Sequence, residues 1–564
     1  MNQHDKSRGG ARNFLAAAVL LLATQSGSAA PPPPAAGYAS LVTLFEQWRE
    51  FERPIMHGDV ADYGAGAMAA KAAALSQWRK RLSAIDTKDW PIEELNDYKL
   101  VAAEMNGLDF NLRVSRPWAR DPAFYMSVWP ARSDVPSREG PAAYPEIELY
   151  KYRFPLSPAA QRELEARIGA IPALLAQARE NLNDSNARDL WIFGAQELQN
   201  QSRTLASLQA GTLTVSTLEG SQLADVTGIS PALRSAIAAA LNATDEFIAW
   251  MQRAPKKTGP SGIGKREYTW YQQNVHFVPF TWDEEVLLLQ RELERAQASL
   301  VLEEHNNRDL PPLLPAADAA AFDKLARVRL DRFVDFLVRQ EVIPDRPYIR
   351  AALEPRLGHF VPEEQRVFFT RVTHREPMLL LSHDYHWLDL ARMRDEPNAS
   401  PIRRLASLSN IWDGRAEGFA TAFEELLMHA GLYDDNPRAK ELVWIMLANR
   451  AARGLASLYV QANVFTLDQA GQFHAQWTPR GWAKAKDQLT AFEQLLYLRQ
   501  PGYGTSYITG KLLLDRLLTE YAHQQELAGR PFTLRDFLDR FNRAGMIPVP
   551  LMETEMISSG AREP

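Results

Sequence analysis

Apolar residues recur at intervals of three and four along most of the chain from Tyr38 onward. This spacing puts apolar side chains on one face of an α-helix. Each such helix needs partners that cover its apolar stripe, so the pattern predicts a mainly α-helical, multi-helix body, either as one mass or as two lobes around a deep channel. The clearest stretches are LVTLFEQWREF (41–51), ELEARIGAIPALLAQARENL (163–182), EEVLLLQRELERAQASLVLEEH (284–305) and FDKLARVRLDRFVDFLVRQ (322–340).

Alternating apolar and polar positions, the mark of a half-buried strand, are scarce. The best strand candidates are HFVPF (276–280) and RVFFTRV (366–372). We therefore expect less than about a tenth of the residues in strands. Proline-rich breaks between the helical stretches indicate loops rather than flexible linkers. Residues 38–564 are accordingly predicted to form a single large domain.

The first thirty residues have the order of a secretory signal peptide. Lys6, Arg8 and Arg12 precede an apolar run over 14–23, and small residues follow at 28–30. The sequence predicts a signal peptide over 1–30, a proline-rich spacer over 31–37 and a bacterial periplasmic or secreted protein. Because the apolar run is about half of the ~20 residues that span a bilayer, no stable membrane insertion is expected after cleavage. Retention of this segment as an anchor is the alternative.

Composition narrows the possible chemistry. The chain has no cysteine, which excludes disulfides, cysteine-ligated zinc, a cysteine nucleophile and a lipid anchor on cysteine. Its net charge of −6 is spread without long runs of one sign, so a nucleic-acid partner is not expected. Phosphate-binding glycine loops and the nucleophile elbow of the α/β-hydrolases are absent. Any metal ion would have to bind to His, Asp and Glu.

Two histidines lie three residues apart in LSHDYHWLDLARM (381–393), although the chain has only 11 histidines. If this stretch is helical, His383 and His386 share a face. In RAEGFATAFEELLMHAG (415–431), Glu417 and Glu424 fall on one helical stripe. Two histidines and a glutamate form the ligand set of a zinc hydrolase with one position open. Ordinary surface or core histidines remain the alternative, as does ion pairing of either glutamate with Arg415 or Arg404.

The segment EGFATAFEELLMHAGLYDD (417–435) resembles the EGWALYAEEL…GLYDD stretch of the bacterial domain-of-unknown-function 885 family. That family is grouped with the HExxH-type zinc metallopeptidases. Further resemblances follow in the family's order and span most of residues 40–556. They include RLSAIDTKDWPIEELNDYKLV (81–101), WARDPAFY (118–125), IPALLAQARENL (171–182), IGKREYTWYQQNV (263–275), PGYGTSYITGKLLLDRLL (501–518) and FTLRDFLDRFNRAGMIPVPLME (532–553).

The resemblance implies a set of site residues. The family's HExxPGHH motif lies about thirty residues before its EGW, and here His383 lies 34 residues before Glu417. Matching the motifs implies zinc bound by His383, His386 and Glu417. Tyr507 matches the tyrosine of the family's SY pair, which implies a hydrogen-bond donor to an oxyanion. His374 is the alternative to His386 as the second ligand.

The chain departs from the family at the motif itself, because Asp384 stands where the family has Glu. Asp is one methylene shorter, so its carboxylate would lie about 1–1.5 Å further from the attacking water, and a misplacement of about 1 Å can cost a hundredfold in rate. His374 and Glu376, just upstream, are a possible replacement pair. Two functions follow: an exported zinc-dependent hydrolase that uses Asp384 as base on peptides bound in a channel, or a catalytically inactive periplasmic binding or scaffold relative.

Overall fold

The computed structural model describes residues 36–558, all of which lie in one compact unit. The chain is mainly α-helical, with 66% helix and 4% strand, which confirms the predicted fold class. The predicted signal peptide and residues 31–35 of the spacer lie outside the described range, and the next spacer residue, Ala36, already begins a helix. None of the described helices is long and apolar enough to cross a membrane.

The helices of the first half of the described chain cover residues 36–253. They are α1 (Ala36–Glu52), α2 (Ala65–Ser83), α3 (Ile92–Phe110), α4 (Pro117–Arg120), α5 (Pro158–Gly169), α6 (Ile171–Asn181), α7 (Arg188–Ala210) and α8 (Pro231–Arg253). Three two-stranded pairs lie among them. They are β1 (Ile55–His57) with β2 (Val60–Asp62), β3 (Val128–Trp129) with β4 (Ile147–Glu148), and β5 (Thr214–Ser216) with β6 (Ser221–Leu223).

The remaining helices carry the candidate site. They are α9 (Lys265–Asn274), α10 (Trp282–Asn306), α11 (Ala319–Arg339), α12 (Tyr348–Leu353), α13 (Phe368–Thr373), α14 (Met378–His383), α15 (Tyr385–Asp395), α16 (Asp413–His429), α17 (Arg438–Gln461), α18 (Leu467–Trp477), α19 (Gln488–Arg499), α20 (Tyr503–Leu527), α21 (Leu534–Ala544) and α22 (Val549–Ser558).

Local sequence signals explain where several helices begin. Before α10, the Thr281 hydroxyl accepts a hydrogen bond from the Glu284 amide, and the Glu284 carboxylate accepts one from the Thr281 amide at 2.7 Å. This capping box satisfies two amides that the first helical turn leaves without partners. Ser230 caps α8 in the same way through the amide of Leu233 at 3.0 Å, and proline follows it at the first helical position. The predicted helices at 41–51, 284–305 and 322–340 are confirmed as parts of α1, α10 and α11.

Some expectations about local structure were wrong. Residues 276–280 form a loop, and most of 366–372 belongs to the helix α13 rather than to a strand. Short apolar runs do not distinguish strand from helix by periodicity alone. The stretch 163–182 divides into α5 and α6 at Ala170, because proline at position 172 favours a new helical start over continuation.

Apolar side chains gather into two main cores. The larger includes Leu289 of α10, Phe423 of α16 and Leu447 of α17, all buried. The second is formed by α5 to α8 and includes Leu198 and Phe247. Within the larger core α17 packs against both α10 and α20, and α16 packs along α20.

Helices α16 and α20 touch through their backbones. A methyl group added at Gly418 would lie 2.4 Å from the Gly510 Cα atom, and one added at Gly510 would lie 2.2 Å from the carbonyl oxygen of Gly414. No Cβ atom fits at these distances, so glycine is required at both positions for the helices to approach this closely. Glu417 lies next to this contact.

We expect Gly418→Ala to lower the free energy of unfolding by about 1–3 kcal/mol or more, because the added methyl group must push two packed backbones apart. Urea denaturation measures this change. Gly414→Ala is the matched control on the same helix, since its methyl group would meet nothing within 4 Å. That variant should be neutral or gain up to about 1 kcal/mol. Equal stabilities for the two variants would contradict the close approach.

Candidate metal centre

The histidine pair lies at a break between two helices rather than on one. The single helix expected over 381–393 was wrong: α14 ends at His383 and α15 begins at Tyr385. Between them Asp384 has a ψ of 9°, and the Trp387 amide bonds to the Asp384 carbonyl three residues back, at 2.9 Å. Neither proline nor glycine occurs at the break, so no residue type predicts it.

The two histidines face α16, which runs antiparallel to α14 and α15. His383 lies beside Glu424, His386 beside Glu417, and Asp389 pairs with Arg415 at 3.0 Å. Moving forward along α14 and α15 therefore means moving backward along α16. The alternative ion pairs of Glu417 or Glu424 with Arg415 or Arg404 are not formed. Arg415 binds Asp389 and Arg404 binds main-chain carbonyls, whereas Glu424 forms its buried ion pair with Arg450.

Three potential ligand atoms converge at this point. Glu417 Oε2 lies 3.5 Å from His383 Nε2 and 3.2 Å from His386 Nε2, and all the ligand atoms lie within 4.8 Å of one another. Zinc with bonds of about 2.0–2.1 Å in a tetrahedral arrangement needs ligand atoms about 3.4 Å apart. The two separations between Glu417 and the histidines match this value, and three residues leave one position of a tetrahedral ion open.

Neighbouring side chains orient each of these groups. The Tyr503 hydroxyl donates to Glu417 Oε1 at 2.5 Å, which leaves Oε2 to face the histidines. Glu424 Oε1 lies 3.3 Å from His383 Nδ1, and the guanidinium of Arg450 lies 3.0 Å from the same nitrogen. Arg450 can only donate, whereas an ionised Glu424 can only accept. With the proton on Nδ1 and Glu424 as its partner, the Nε2 lone pair is available to a metal.

Charge and burial shift the acid–base properties of the cluster. Burial opposes ionisation of Glu417, but the two histidines outweigh it and hold the pKa of Glu417 well below its usual range. Burial alone would lower the pKa of His386, yet the charge and hydrogen bond of Glu417 raise it to about 9. The pKa of Asp384 is raised to about 8, first by burial and then by the charge of Asp134. The cluster is thus a buried anionic group with two imidazoles directed at it.

The other predicted residues are divided between this site and the fold. Tyr507 belongs to the site, with its ring nearly parallel to that of His383 at 6.2 Å. His374 does not, because its Nε2 accepts the Val361 amide at 2.8 Å and its ring stacks on Phe322. Glu376 forms an ion pair with Arg329 at 3.0 Å, so it is not available as a replacement base. Of the two candidates for the second ligand, only His386 lies in the cluster.

Sequence reasoning missed two contributors. Tyr503 precedes Tyr507 by four residues on α20, so helical spacing already placed both hydroxyls on one face. The loop between β3 and β4 contributes Asp134 and Glu139, and no spacing rule connects them to the histidines. Glu139 Oε1 lies 3.5 Å from the Tyr503 hydroxyl, next to the cluster, and burial, Asp134 and the charge of Glu417 raise the pKa of Glu139 to about 7.

A sequence-family comparison matches residues 50–327 and 386–556, well over half of the chain, to the family described as "Bacterial protein of unknown function (DUF885)". The chain belongs to the DUF885 family. The matched segments resume at His386, so His383 and Asp384 fall in the unmatched interval. None of the curated proteins matches the chain.

Two solved structures share the fold of this DUF885 protein. One is described as a "putative lipoprotein of unknown function" from Shewanella oneidensis, with a TM-score of 0.62 and 15% identity over 93% of this chain and 100% of the other. The other is a "putative lipoprotein" from Colwellia psychrerythraea, with a TM-score of 0.63 and 14% identity over 94% of this chain and 100% of the other. At these identities the likeness extends to the fold alone.

The ion pair between Glu424 and Arg450, which contacts Nδ1 of His383, should be important for stability. Arg450 binds both carboxylate oxygens of Glu424 at 2.7 Å, and both side chains are buried. We expect Glu424→Gln to lower the free energy of unfolding by about 3–5 kcal/mol, because Arg450 keeps a buried charge without its counter-ion. Glu520→Gln, which breaks an exposed pair with Arg516, is the control and should cost less than about 1 kcal/mol. Similar losses in urea denaturation would contradict the assignment of Glu424–Arg450 as a buried pair.

Proposed function

We propose that this DUF885 protein is an exported, zinc-dependent hydrolase that acts on peptides. The observation that carries the proposal is the convergence of His383, His386 and Glu417 at metal-ligand distances. Export is supported by the signal-like order of residues 1–30 and by structural relatives described as lipoproteins. Peptides are the substrate class that the metallopeptidase resemblance implies, and a channel that admits them stays a prediction.

Zinc bound by these three residues would supply Lewis-acid polarisation of the substrate carbonyl and would activate water for attack. The chain's own residues have separate tasks. Glu424 would accept a hydrogen bond from His383 Nδ1 in the metal-binding tautomer, and the Tyr503 hydroxyl donates to Glu417 Oε1, which leaves Oε2 facing the histidines. Both contacts orient ligands that otherwise would rotate.

Asp384 is the proposed base and Tyr507 the proposed oxyanion donor. Asp384 interacts electrostatically with His386, Glu424 and Asp134, all of which surround the cluster. The hydroxyl of Tyr503 is already committed to Glu417, so Tyr507 is the better placed of the two tyrosines to stabilise a developing negative charge. The guanidinium of Arg453 lies 4.2 Å from the Tyr507 ring centre and fixes its position.

Metal binding is tested first. We expect the purified protein to bind about one equivalent of zinc in equilibrium dialysis, and His386→Ala to weaken that binding at least about tenfold because one of three protein ligands is lost. His429→Ala is the matched control, since His429 lies exposed at the end of α16. Zinc binding that survives in His386→Ala as in the control would overturn the proposed centre.

Hydrolysis is tested separately with the zinc-loaded protein and a mixture of unmodified peptides, with new termini detected by mass spectrometry. We expect Tyr507→Phe to lower kcat about 100-fold if its hydroxyl stabilises the oxyanion.

Asp384→Asn should abolish peptide hydrolysis but leave zinc binding unchanged. Asp384→Glu, which installs the residue of the family motif, should keep or raise activity. If the protein binds one equivalent of zinc but cleaves no peptide, the result favours the alternative function, a catalytically inactive binding or scaffold protein. The replacement of Glu by Asp384 in the motif also favours that alternative.

A further inference from the structure

A cavity of about 450 Å³ lies between α15, α21, the start of α12 and the loop over 396–404, apart from the candidate metal centre. Its lining is strongly positive. Only two carboxylates, Glu396 and Asp539, contribute to it. The net charge of the whole chain is −6, so this concentration of positive charge is local. The cationic lining residues are Arg346, Arg392, Arg403, Arg404, Arg535 and Arg543.

Two of these arginines are fully engaged in the fold. Arg403 is buried and binds the carboxylates of Asp97 and Glu555. Arg392 binds Asp389 at 2.5 Å and the carbonyl of Asn542 at 2.6 Å. Arg403 is balanced by two carboxylates, whereas Arg392 shares Asp389 with Arg415. Both side chains form part of the wall of the cavity.

Arg404 and Arg543 differ from these, because within residues 36–558 neither has a carboxylate partner. Arg404 is held in place by main-chain carbonyls, with Nε 2.8 Å from the Asn398 oxygen and Nη2 3.1 Å from the Ala399 oxygen. Arg543 is exposed, and its carbonyl is fixed by the Asn398 side chain at 3.0 Å. Two guanidinium groups therefore line the cavity with their charge uncompensated.

The last two arginines are only partly engaged. Arg346 binds Glu396 through Nε at 2.6 Å, and Arg535 binds Asp539 through Nε at 2.8 Å. Each therefore keeps terminal N–H donors for another acceptor. The planar guanidinium group matches phosphate and carboxylate oxygens in a bidentate arrangement. Several such groups around one concave space suit a ligand with more than one anionic group.

We propose that this cavity binds a compact polyvalent anion, of the phosphate or carboxylate class, chiefly through Arg404 and Arg543. Arg346 and Arg535 contribute their free donors. None of the metal-site residues His383, His386 and Glu417 lines the cavity, so the proposal does not depend on the hydrolase. Helix α15 separates the two sites, with His386 directed to one and Tyr385 lining the other.

Isothermal titration calorimetry of the full chain at low ionic strength tests this, with pyrophosphate and citrate as probes. We expect at least one probe to bind, and Arg404→Ala and Arg543→Ala each to weaken it about tenfold or more, as loss of a charge-assisted hydrogen bond does. Arg543→Lys keeps the positive charge but lacks the planar guanidinium group. Its affinity for the probe should therefore lie between those of the unchanged protein and Arg543→Ala. Binding of pyrophosphate alone supports a phosphate ligand, and of citrate alone a carboxylate ligand.

Two further variants keep the result unambiguous. Arg291→Ala removes an exposed arginine outside the cavity and should leave affinity unchanged. Asp539→Asn releases Arg535 from its carboxylate and should tighten binding several-fold. Absence of binding by both probes, or unchanged affinity in the double variant Arg404→Ala/Arg543→Ala, overturns the proposal.

Discussion

The contact between the backbones of α16 and α20 is the constraint on which the candidate site depends. Gly418 and Gly510 allow the two helices to touch where any side chain would hold them apart. Glu417 is the residue next to that contact, and about two turns of α20 before Gly510 carry Tyr503 and Tyr507. The distance from the Tyr503 hydroxyl to the Glu417 carboxylate is therefore set by the helix packing rather than by flexible side chains. Larger residues at either glycine would separate the carboxylate from its donor.

The distribution of buried charge explains why Glu417 is unusual. Glu424 has Arg450, Asp389 has Arg415, and Glu493 has Arg453 as buried cationic partners. Such pairs offset the high cost of removing each charge from water. Within residues 36–558 Glu417 has no arginine or lysine partner, and two imidazoles and a hydroxyl stand in that place. Although burial lowers it, the charge of Glu417 raises the pKa of His386 to about 9, so a proton on His386 compensates the buried carboxylate. A bound cation can replace that proton, which is the physical basis of the proposed centre.

Much of the fold and part of the site could be predicted from the sequence. The long periodic stretches correctly predicted the helices α1, α10 and α11, because each carries an apolar stripe that is too long for a strand. Helical spacing and the family resemblance together predicted that His383, His386 and Glu417 lie close to one another. The break at Asp384 could not be predicted, since no local residue favours it and it depends on packing against α16. The approach of the loop with Asp134 and Glu139 is likewise a long-range effect that no spacing rule contains.

That break changes the argument about the missing methylene at Asp384. The estimate that a shorter side chain holds its carboxylate too far from the reacting water assumes that the backbone follows one straight helix. Here the backbone leaves the helical path at Asp384 itself, with a ψ of 9°. A change in the backbone at this residue moves its carboxylate as a whole, so side-chain length alone does not determine its reach. Because His383 and His386 belong to different helices, the position of Asp384 depends on how α14 and α15 each pack against α16. The reach of the Asp384 carboxylate is therefore a property of this break as much as of the side chain.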